Sequence, residues 1–441
     1  MKRHTDFRPG GTDLLRRRLL KQGGLAALSA AAAQLPLVNI ARAQSATIKI
    51  GYIAAHSGWM AQFNSTDDWV LDRQIRPLLK NGLSIGGKHY AVDIVTKDNQ
   101  SDDTQSSVVM SELVLREKCD LVIGTNGSAV VAAGALADAR GVPLLTTMSP
   151  WEPFVIGRGQ MPGPNYKGFP FHYHIGFGVA PMLQNYVGMW DTVPTDKTVG
   201  SFWLDNPAGR GFGSDKIGLP VFIKKGGYKE VKGGFFQAST NDFSNQISAF
   251  KNGACDVVVG YGSTDQLVQF WNQAAQSGYK PKVCTVAGAL LFPSAVEALG
   301  DYGDGLSTEV WFNPSWPYKS SLTGQSAQAL CAEWESSTGK QWTQPIGYVH
   351  QVWEAAIAAL KSAADPKNRV AIRDAIKGLD LVTVAGPVDF KNTRIPNVAL
   401  VATAGGQWVR TAGGKYKYDL LVVSNTTAPN IPVQAKLKLL S

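Results

Sequence analysis

Apolar residues in this chain fall in short blocks that alternate with longer amphipathic stretches. Thr47–Ala54 (TIKIGYIA) reads as a buried strand, and the stretch 67–80 as a helix. Residues 89–97 alternate polar and apolar side chains with the period of two that a strand requires. Ser101, Asp102 and Asp103 offer a cap and two acids to a helix closing near Arg116 and Lys118, which complements the helix dipole at both ends. Residues 120–124 (DLVIG) form the next short strand, 129–140 a helix, and Pro143 begins a further strand. Strands interleaved with helices predict a mostly parallel sheet covered on both faces.

The pattern then restarts. Strands are expected at 197–204, 256–260 and 281–286, with helices at 217–225, after Asn241-Asp242-Phe243, and at 266–276. The chain also resembles itself, because CDLVIG at 119–124 matches CDVVVG at 255–260, and each leads through a Gly/Ser loop and a helix to a Pro-started strand. That offset is far too long for a solenoid and predicts two similar α/β lobes. Helices follow at 320–338, 347–364 and 369–378, the second with Val349, Val352, Trp353, Ala356 and Leu360 spaced for one face. From Val382 the composition turns to short strands (398–403, 420–423), with Gly405-Gly406 and Gly413-Gly414 marking turns. The Gly/Pro-rich segment 157–173 is the expected first passage between lobes.

Length and charge fit this division. The 441 residues suffice for two or three domains with real cores. The formal charge of +9 would suggest a nucleic-acid or membrane partner, but residues 1–43 hold eight bases against two acids. The remainder carries 35 bases and 32 acids, so no nucleic-acid partner is expected. A basic start, an Ala/Leu-rich run over 23–38 and Ala41-Arg42-Ala43 make an export signal, with Ala41 and Ala43 where a signal peptidase reads. Arg16-Arg17-Arg18-Leu19-Leu20-Lys21 looks like a twin-arginine signal, with the general secretory route as the alternative. The expectation is an exported, soluble periplasmic protein beginning near Gln44. Cys119, Cys255, Cys284 and Cys331 stand apart, as one disulfide or as buried thiols.

The loops after the strands are where two lobes would meet a ligand. In the first lobe these are 56–64 with Trp59 and Phe63, Thr125-Asn126-Gly127-Ser128 leading straight into a helix, and 146–151 with Ser149 and Trp151. A Gly/Ser loop at a helix start presents N–H groups and a hydroxyl to a carboxylate; the plain alternative is that Ser128 only caps its helix. In the second lobe they are 205–212 with Arg210 and Phe212, 261–264 with Tyr261 and Ser263, and 287–289 with Gly288. Arg210 would pair with an acidic ligand, or else be a solvated loop charge. Trp59, Trp151, Trp203 and Trp311 lie near strand ends as a possible aromatic box. Enzyme signatures are missing: no G-x-S-x-G elbow, H-E-x-x-H or phosphate loop occurs. His172-x-His174 puts two rings on one side of a strand without a third ligand nearby in sequence, so no metal and no cofactor are expected.

The motifs IKIGYIA with Ser57-Gly58, KDNQSD at 97–102, DLVIGTNGSAVVAAGALADARGVPLL, CDVVVGYGSTDQLVQFWNQAAQSGY and GPVDF at 386–390, in this order, resemble the solute-binding proteins of branched-chain amino acid ABC transporters. The resemblance implies a type I periplasmic binding protein fold: two Rossmann-like lobes joined by three hinge strands, closing on a ligand cleft. It implies a non-enzymatic monomer delivering a small molecule to a membrane permease and ATPase. The expected division is lobe 1 at 44–168 with 308–365 returning to it, and lobe 2 at 169–307 with 366–441. By the same resemblance Ser128 and Ser149 match the groups holding a ligand carboxylate, Phe63 an aromatic of the first loop, and Phe212 a second-lobe aromatic. The acid that holds an ammonium should fall near 287–289, where there is no carboxylate. Together with the tryptophans, this points to an aromatic or apolar carboxylate or an amide ahead of a free amino acid. The alternatives are an exported cofactor-dependent enzyme or a ligand-sensing module of the same fold.

Overall fold

The computed structural model describes residues 46–440; the export signal with Arg16, Arg17, Ala41 and Ala43 lies outside them. Sixteen strands occur among the described residues. The first six are β1 (Thr47–Ala54), β2 (Leu83–Ile85), β3 (Lys88–Asp98), β4 (Leu121–Gly124), β5 (Leu144–Thr146) and β6 (His172–Gly176). The next five are β7 (Thr198–Leu204), β8 (Lys229–Phe236), β9 (Val257–Tyr261), β10 (Val283–Ala287) and β11 (Ser307–Val310). The last are β12 (Asp380–Thr383), β13 (Gly386–Asp389), β14 (Val398–Leu400), β15 (Ala404–Arg410) and β16 (Tyr418–Ser424). They build two seven-stranded sheets, β14-β6-β5-β4-β1-β3-β2 and β16-β15-β11-β10-β9-β7-β8, and a β12–β13 hairpin. This is an α/β fold with two mixed sheets.

The first sheet shows why its strands read as unbroken apolar runs. Ile48, Ile50, Tyr52, Leu121, Ile123 and Leu145 pack on one face, in the core that includes the helix Pro345–Ser362. Their neighbours Ile53, Val122 and Leu144 join the opposite face with Met110, Leu113, Ala133 and Ala137 from the helical segments 103–116 and 128–140. A strand covered on both faces has no polar side to alternate with. In the second sheet Phe202 sits among Phe236, Phe243, Phe250 and Phe270 on one face. On the other, Trp190 of the helix Val179–Trp190 donates its indole N–H to Thr285 Oγ1 at 2.9 Å.

The internal resemblance is structural. Strands β6-β5-β4-β1-β3 and β11-β10-β9-β7-β8 follow the same order, so β4 and β9 hold equivalent places. The aspartate after each matched cysteine does the same work in both sheets. Asp120 accepts from the Lys49 N–H at 2.8 Å, and Asp256 from the Asp196 N–H at 2.5 Å, fixing the chain entering β1 and β7. All four cysteines are buried free thiols.

The chain passes between sheets after β6, after β11 and between β14 and β15. Two segments assigned by sequence to the second lobe therefore belong to the first sheet: β6 pairs with β5, and β14 with β6. The helix Arg369–Lys377 is tied there as well, through Lys367 to Asp120 at 2.5 Å and Arg369 to the Cys119 carbonyl at 2.7 Å. Two local expectations change. The helix expected from 320 begins only at Ala327, because Ser320 Oγ accepts from the N–H groups of Leu322 and Thr323 and holds a turn, and Ser326 caps the helix at Ala329 N. Gly405 and Gly406 lie inside β15 instead of at a turn, at a bulge. There a Cβ on Gly406 would stand 2.3 Å from Val310 Cγ2, and one on Gly405 2.6 Å from Met189 Sδ.

Candidate functional site

A cavity of about 620 Å³ opens where the carboxyl ends of strands from both sheets face each other. The first sheet contributes Gly58–Phe63 after β1, Asp103 after β3, Gly127 and Ser128 after β4, Met148–Pro150 after β5 and Phe177 after β6. The second contributes Leu204–Ala208 without Asp205, then Phe212, Tyr261–Asp265, Ala287, Gly288, Leu291 and Phe292, with Glu309 of β11; Trp311, just after β11, completes the lining. The walls are mostly aromatic and aliphatic.

The first-sheet loops are locked from beneath by a buried polar knot. Asp67 Oδ2 accepts from Tyr52 Oη (2.8 Å), Thr125 Oγ1 (2.6 Å) and Asn64 Nδ2 (2.8 Å). Asn64 also accepts from Ala55 N at 2.9 Å and donates to Thr125 O at 2.9 Å. The loop carrying Phe63 is thereby fastened to the loop that presents Ser128. Burial raises the Asp67 carboxyl to about 7 against the three hydrogen bonds that favour its ionised form. Gly58 is required where the loop turns: φ is +85°, and a Cβ would lie 2.6 Å from Gln100 O.

Of the twelve residues expected to bind ligand, nine line the cavity: Trp59, Phe63, Gly127, Ser128, Ser149, Phe212, Tyr261, Ser263 and Gly288. Trp59 stands at the rim with two-thirds of its surface exposed. Phe63 stacks on Trp311 (ring centroids 5.9 Å apart, 12° between planes), which stacks in turn on Phe177 at 5.4 Å. Phe212 lies between Trp203 (5.9 Å) and Tyr261 (5.3 Å). Ser128 does not cap its own helix: its hydroxyl donates to Ser101 O at 3.0 Å, while Asn126 Oδ1 accepts from Ala129 N at 3.2 Å. Ser263 is the N-cap of the helix Thr264–Gln276, in a reciprocal box with Gln266. Gly288 has φ +77°, and a Cβ would stand 3.0 Å from Gly262 O.

Three of the twelve are elsewhere. Asn126 is buried, bonded to Asn99 Nδ2 at 2.8 Å besides its capping role. Trp151 opens a short helix and packs beside Val130, Phe154 and Phe169. Arg210 points to solvent and pairs with Asp205 at 2.6 Å. The aromatic box thus shrinks to Trp59 and Trp311, since Trp203 backs Phe212 without lining the space. His172 and His174 share the hydroxyl of Thr146 (2.8 and 2.9 Å), and no cluster of three metal-ligating side chains occurs among the described residues.

Sequence reasoning passed over Met148, Phe177, Phe292, Asp103 and, above all, Glu309. No acid stands at 287–289, but the neighbouring strand supplies one. Glu309 is 2% exposed, and its Oε2 accepts from Tyr186 Oη at 2.5 Å and Thr308 Oγ1 at 2.9 Å. Burial raises its pKa, with the Tyr186 hydroxyl the largest opposing influence. The sign that would have found it is position: the ends of strands face the cavity, and Glu309 is the next-to-last residue of β11.

The sequence of residues 47–406 matches the periplasmic binding protein family, and the chain belongs to it. The fold is that of solved relatives at low identity. A leucine-binding protein, LivK, from Thermotoga maritima is 16% identical, with a TM-score of 0.64 over 86% of this chain and 99% of that one. LivJ of Streptococcus pneumoniae, a branched-chain amino acid transporter substrate-binding protein in complex with isoleucine, is 19% identical (TM-score 0.63, covering 85% and 99%). An ABC-transporter solute-binding protein of Rhodopseudomonas palustris in complex with 3,4-dihydroxybenzoic acid is 18% identical (TM-score 0.63, covering 85% and 96%). The family is one of non-enzymatic binding proteins. Among the described residues no helix is long and apolar enough to cross a membrane.

Proposed function

We propose that this protein is the exported solute-binding component of an ABC importer, taking up a small molecule with an apolar or aromatic body: an amino acid, an aromatic or apolar carboxylate, or an amide. The observation that carries the reading is the cavity of about 620 Å³ whose walls come from the strand ends of both sheets. That volume suits a molecule of modest size enclosed on most sides. The first sheet with 311–400 forms one lobe and the second sheet the other. Closure about the three crossings, near 177, 311 and 401, buries the ligand and creates the surface a permease recognises. Relatives of this fold bind isoleucine and 3,4-dihydroxybenzoic acid, which supports the range of ligand classes. The basic, Ala-rich first 43 residues support export, by the twin-arginine or the general secretory route, and removal of the signal.

A thermal-shift screen of amino acids, aromatic acids, amides and short organic acids tests the proposal, because a ligand that binds only the folded state raises Tm by mass action. At a hundredfold excess over Kd the gain is about 2.7 kcal/mol. If no molecule stabilises the protein and none copurifies with it, the reading fails.

A further inference from the structure

The first crossing between the sheets is short: Phe177 and Gly178 join the end of β6 to the helix Val179–Trp190. That helix belongs with the second sheet, where Trp190 meets Thr285. Its start has no cap of its own, because the N-cap residue is Gly178 and carries no side chain. The cap comes from the other side of the crossing. Glu152, in the short helix Trp151–Val155 after β5, accepts from Val179 N with Oε1 at 2.9 Å. A carboxylate there satisfies an orphan N–H and complements the helix dipole. Glu152 Oε2 is buried with no partner among the described residues, so the carboxyl's hydrogen bond runs across the joint. A buried carboxylate oxygen left unpaired is costly, which argues against a role in stability alone.

The segment before Glu152 is tied both to the cavity and to the first sheet. Ser149 and Pro150 line the cavity. The Ser149 carbonyl faces His174 Nε2 at 2.9 Å, and Trp151 N donates to Phe177 O at 2.8 Å. The Trp151 indole lies against the crossing itself, since a Cβ on Gly178 would stand 2.7 Å from its Nε1. Residues 149–151 therefore stay with β6, whereas Val179 travels with the second lobe. Rotation about Phe177 and Gly178 moves the Val179 N–H relative to Glu152 Oε1, so the bond holds over one range of lobe angles. It is made in the arrangement in which Phe63 touches Phe292 across the cavity. A contact present in one arrangement only shifts the equilibrium toward it.

We infer that Glu152 is a positioning residue for lobe closure, latching the first helix of the second lobe to the cavity loop that carries Ser149. This rests on the reading that the lobes close about these crossings. The test is pulsed electron spin resonance on the ligand-free mature protein, with spin labels at Thr104→Cys and Ser239→Cys, exposed positions after β3 and after β8. The four native thiols are buried, which confines labelling to the introduced pair. Glu152→Ala should shift the distribution to longer distances. Glu152→Gln keeps the acceptor oxygen and should return it to that of the parent. Gly178→Ala drives a Cβ into Trp151, strains the same joint without touching the carboxyl, and should also lengthen the distances. Parent-like distances in Glu152→Ala overturn the inference whatever its Tm, as does equal lengthening in Glu152→Ala and Glu152→Gln. Should Glu152→Ala not fold, parent-like distances in Gly178→Ala decide against it. None of these measurements needs a ligand. Failure of the ligand screen overturns the solute-binding reading and leaves the latch measurable, whereas unchanged distances leave solute binding intact.

Discussion

His174 Nε2 lies 2.9 Å from the carbonyl oxygen of Ser149, a residue of the cavity wall. A carbonyl only accepts, so this bond places the proton on Nε2 and leaves His174 Nδ1 to accept from Thr146 Oγ1 at 2.9 Å. The Thr146 oxygen then accepts from His172 Nε2 at 2.8 Å, and His172 Nδ1 faces the Arg158 guanidinium at 3.5 Å. Arg158 is held by Asp138 at 2.7 Å. One direction of donation runs from Asp138-anchored Arg158 to the Ser149 loop. That loop needs anchoring, because Met148 before it sits at φ +59°, an unfavourable conformation for a non-glycine residue.

Removing the shared hydroxyl breaks this chain at its centre. Thr146→Val leaves one buried ring donor and one buried ring acceptor unpaired, each at about 1–3 kcal/mol. The expected outcome is a clear loss in urea-unfolding stability and weaker ligand binding through a loosened Ser149 loop. Thr146→Ser keeps the oxygen and should restore most of both. Equal loss in the Val and Ser variants would assign the effect to packing instead.

Asp67 makes stability depend on pH. Its folded pKa of about 7 lies above the ordinary aspartate value near 3.9. Below about pH 4 both states hold the proton; between about pH 4 and 7 the unfolded chain releases it first. This group's contribution to stability is therefore complete in acid and declines as pH rises to about 7, by up to on the order of 4 kcal/mol. His174, lowered to about 4 by burial, works in the opposite sense and loses stability as pH falls from about 6.5. Asp67→Asn should remove only the first slope. Chemical denaturation of the variant and the parent across about pH 4.5–7.5 checks this through their difference, which should shift steadily in the variant's favour as pH rises.

Much of the fold was legible because the strands and helices of both halves carry strong, locally consistent patterns. The CDLVIG and CDVVVG segments even revealed the repeated strand order, with Asp120 and Asp256 in matching roles. Illegible parts depended on contacts remote in sequence. Gly405 and Gly406 look like turn residues until Met189 and Val310 are seen packed against them. The site followed the same division. Loops after well-marked strands named Phe63, Ser128, Ser149 and Tyr261, whereas Glu309 lies within a short strand whose role depends on sheet order. Asn126 and Arg210 were of the right chemical type, but a helix cap and an exposed ion pair absorb them.

Arg210 gives a simple control. Its side chain is mostly exposed and its partner Asp205 lies at 2.6 Å, a solvated setting in which an ion pair adds little to stability. Arg210→Ala should leave Tm nearly unchanged and ligand affinity within about twofold, a difference of about 0.4 kcal/mol. A tenfold loss of affinity would mean that the loop swings Arg210 into the cavity on closure.

The stack of Phe63 on Trp311 joins the first loop of the first sheet to the crossing that follows β11. Phe63 also meets Phe292 edge-on at 5.0 Å, so its ring touches the crossing at Trp311 and the opposing wall at Phe292. Aromatic pairs of this kind contribute about 0.5–1.5 kcal/mol beyond their buried area. Phe63→Ala therefore removes a contact across the cleft as well as a ligand wall. Ser128→Ala removes only a hydroxyl that already donates to Ser101 O, so the ligand-free protein should lose about 1 kcal/mol or less. Affinity for the ligand returned by the screen should fall at least tenfold in Phe63→Ala and more modestly in Ser128→Ala. Small-angle scattering of ligand-free Phe63→Ala should show a larger radius of gyration than the parent, as the lobes lose their aromatic latch. Parent-like affinity in both variants would show that the ligand is held elsewhere.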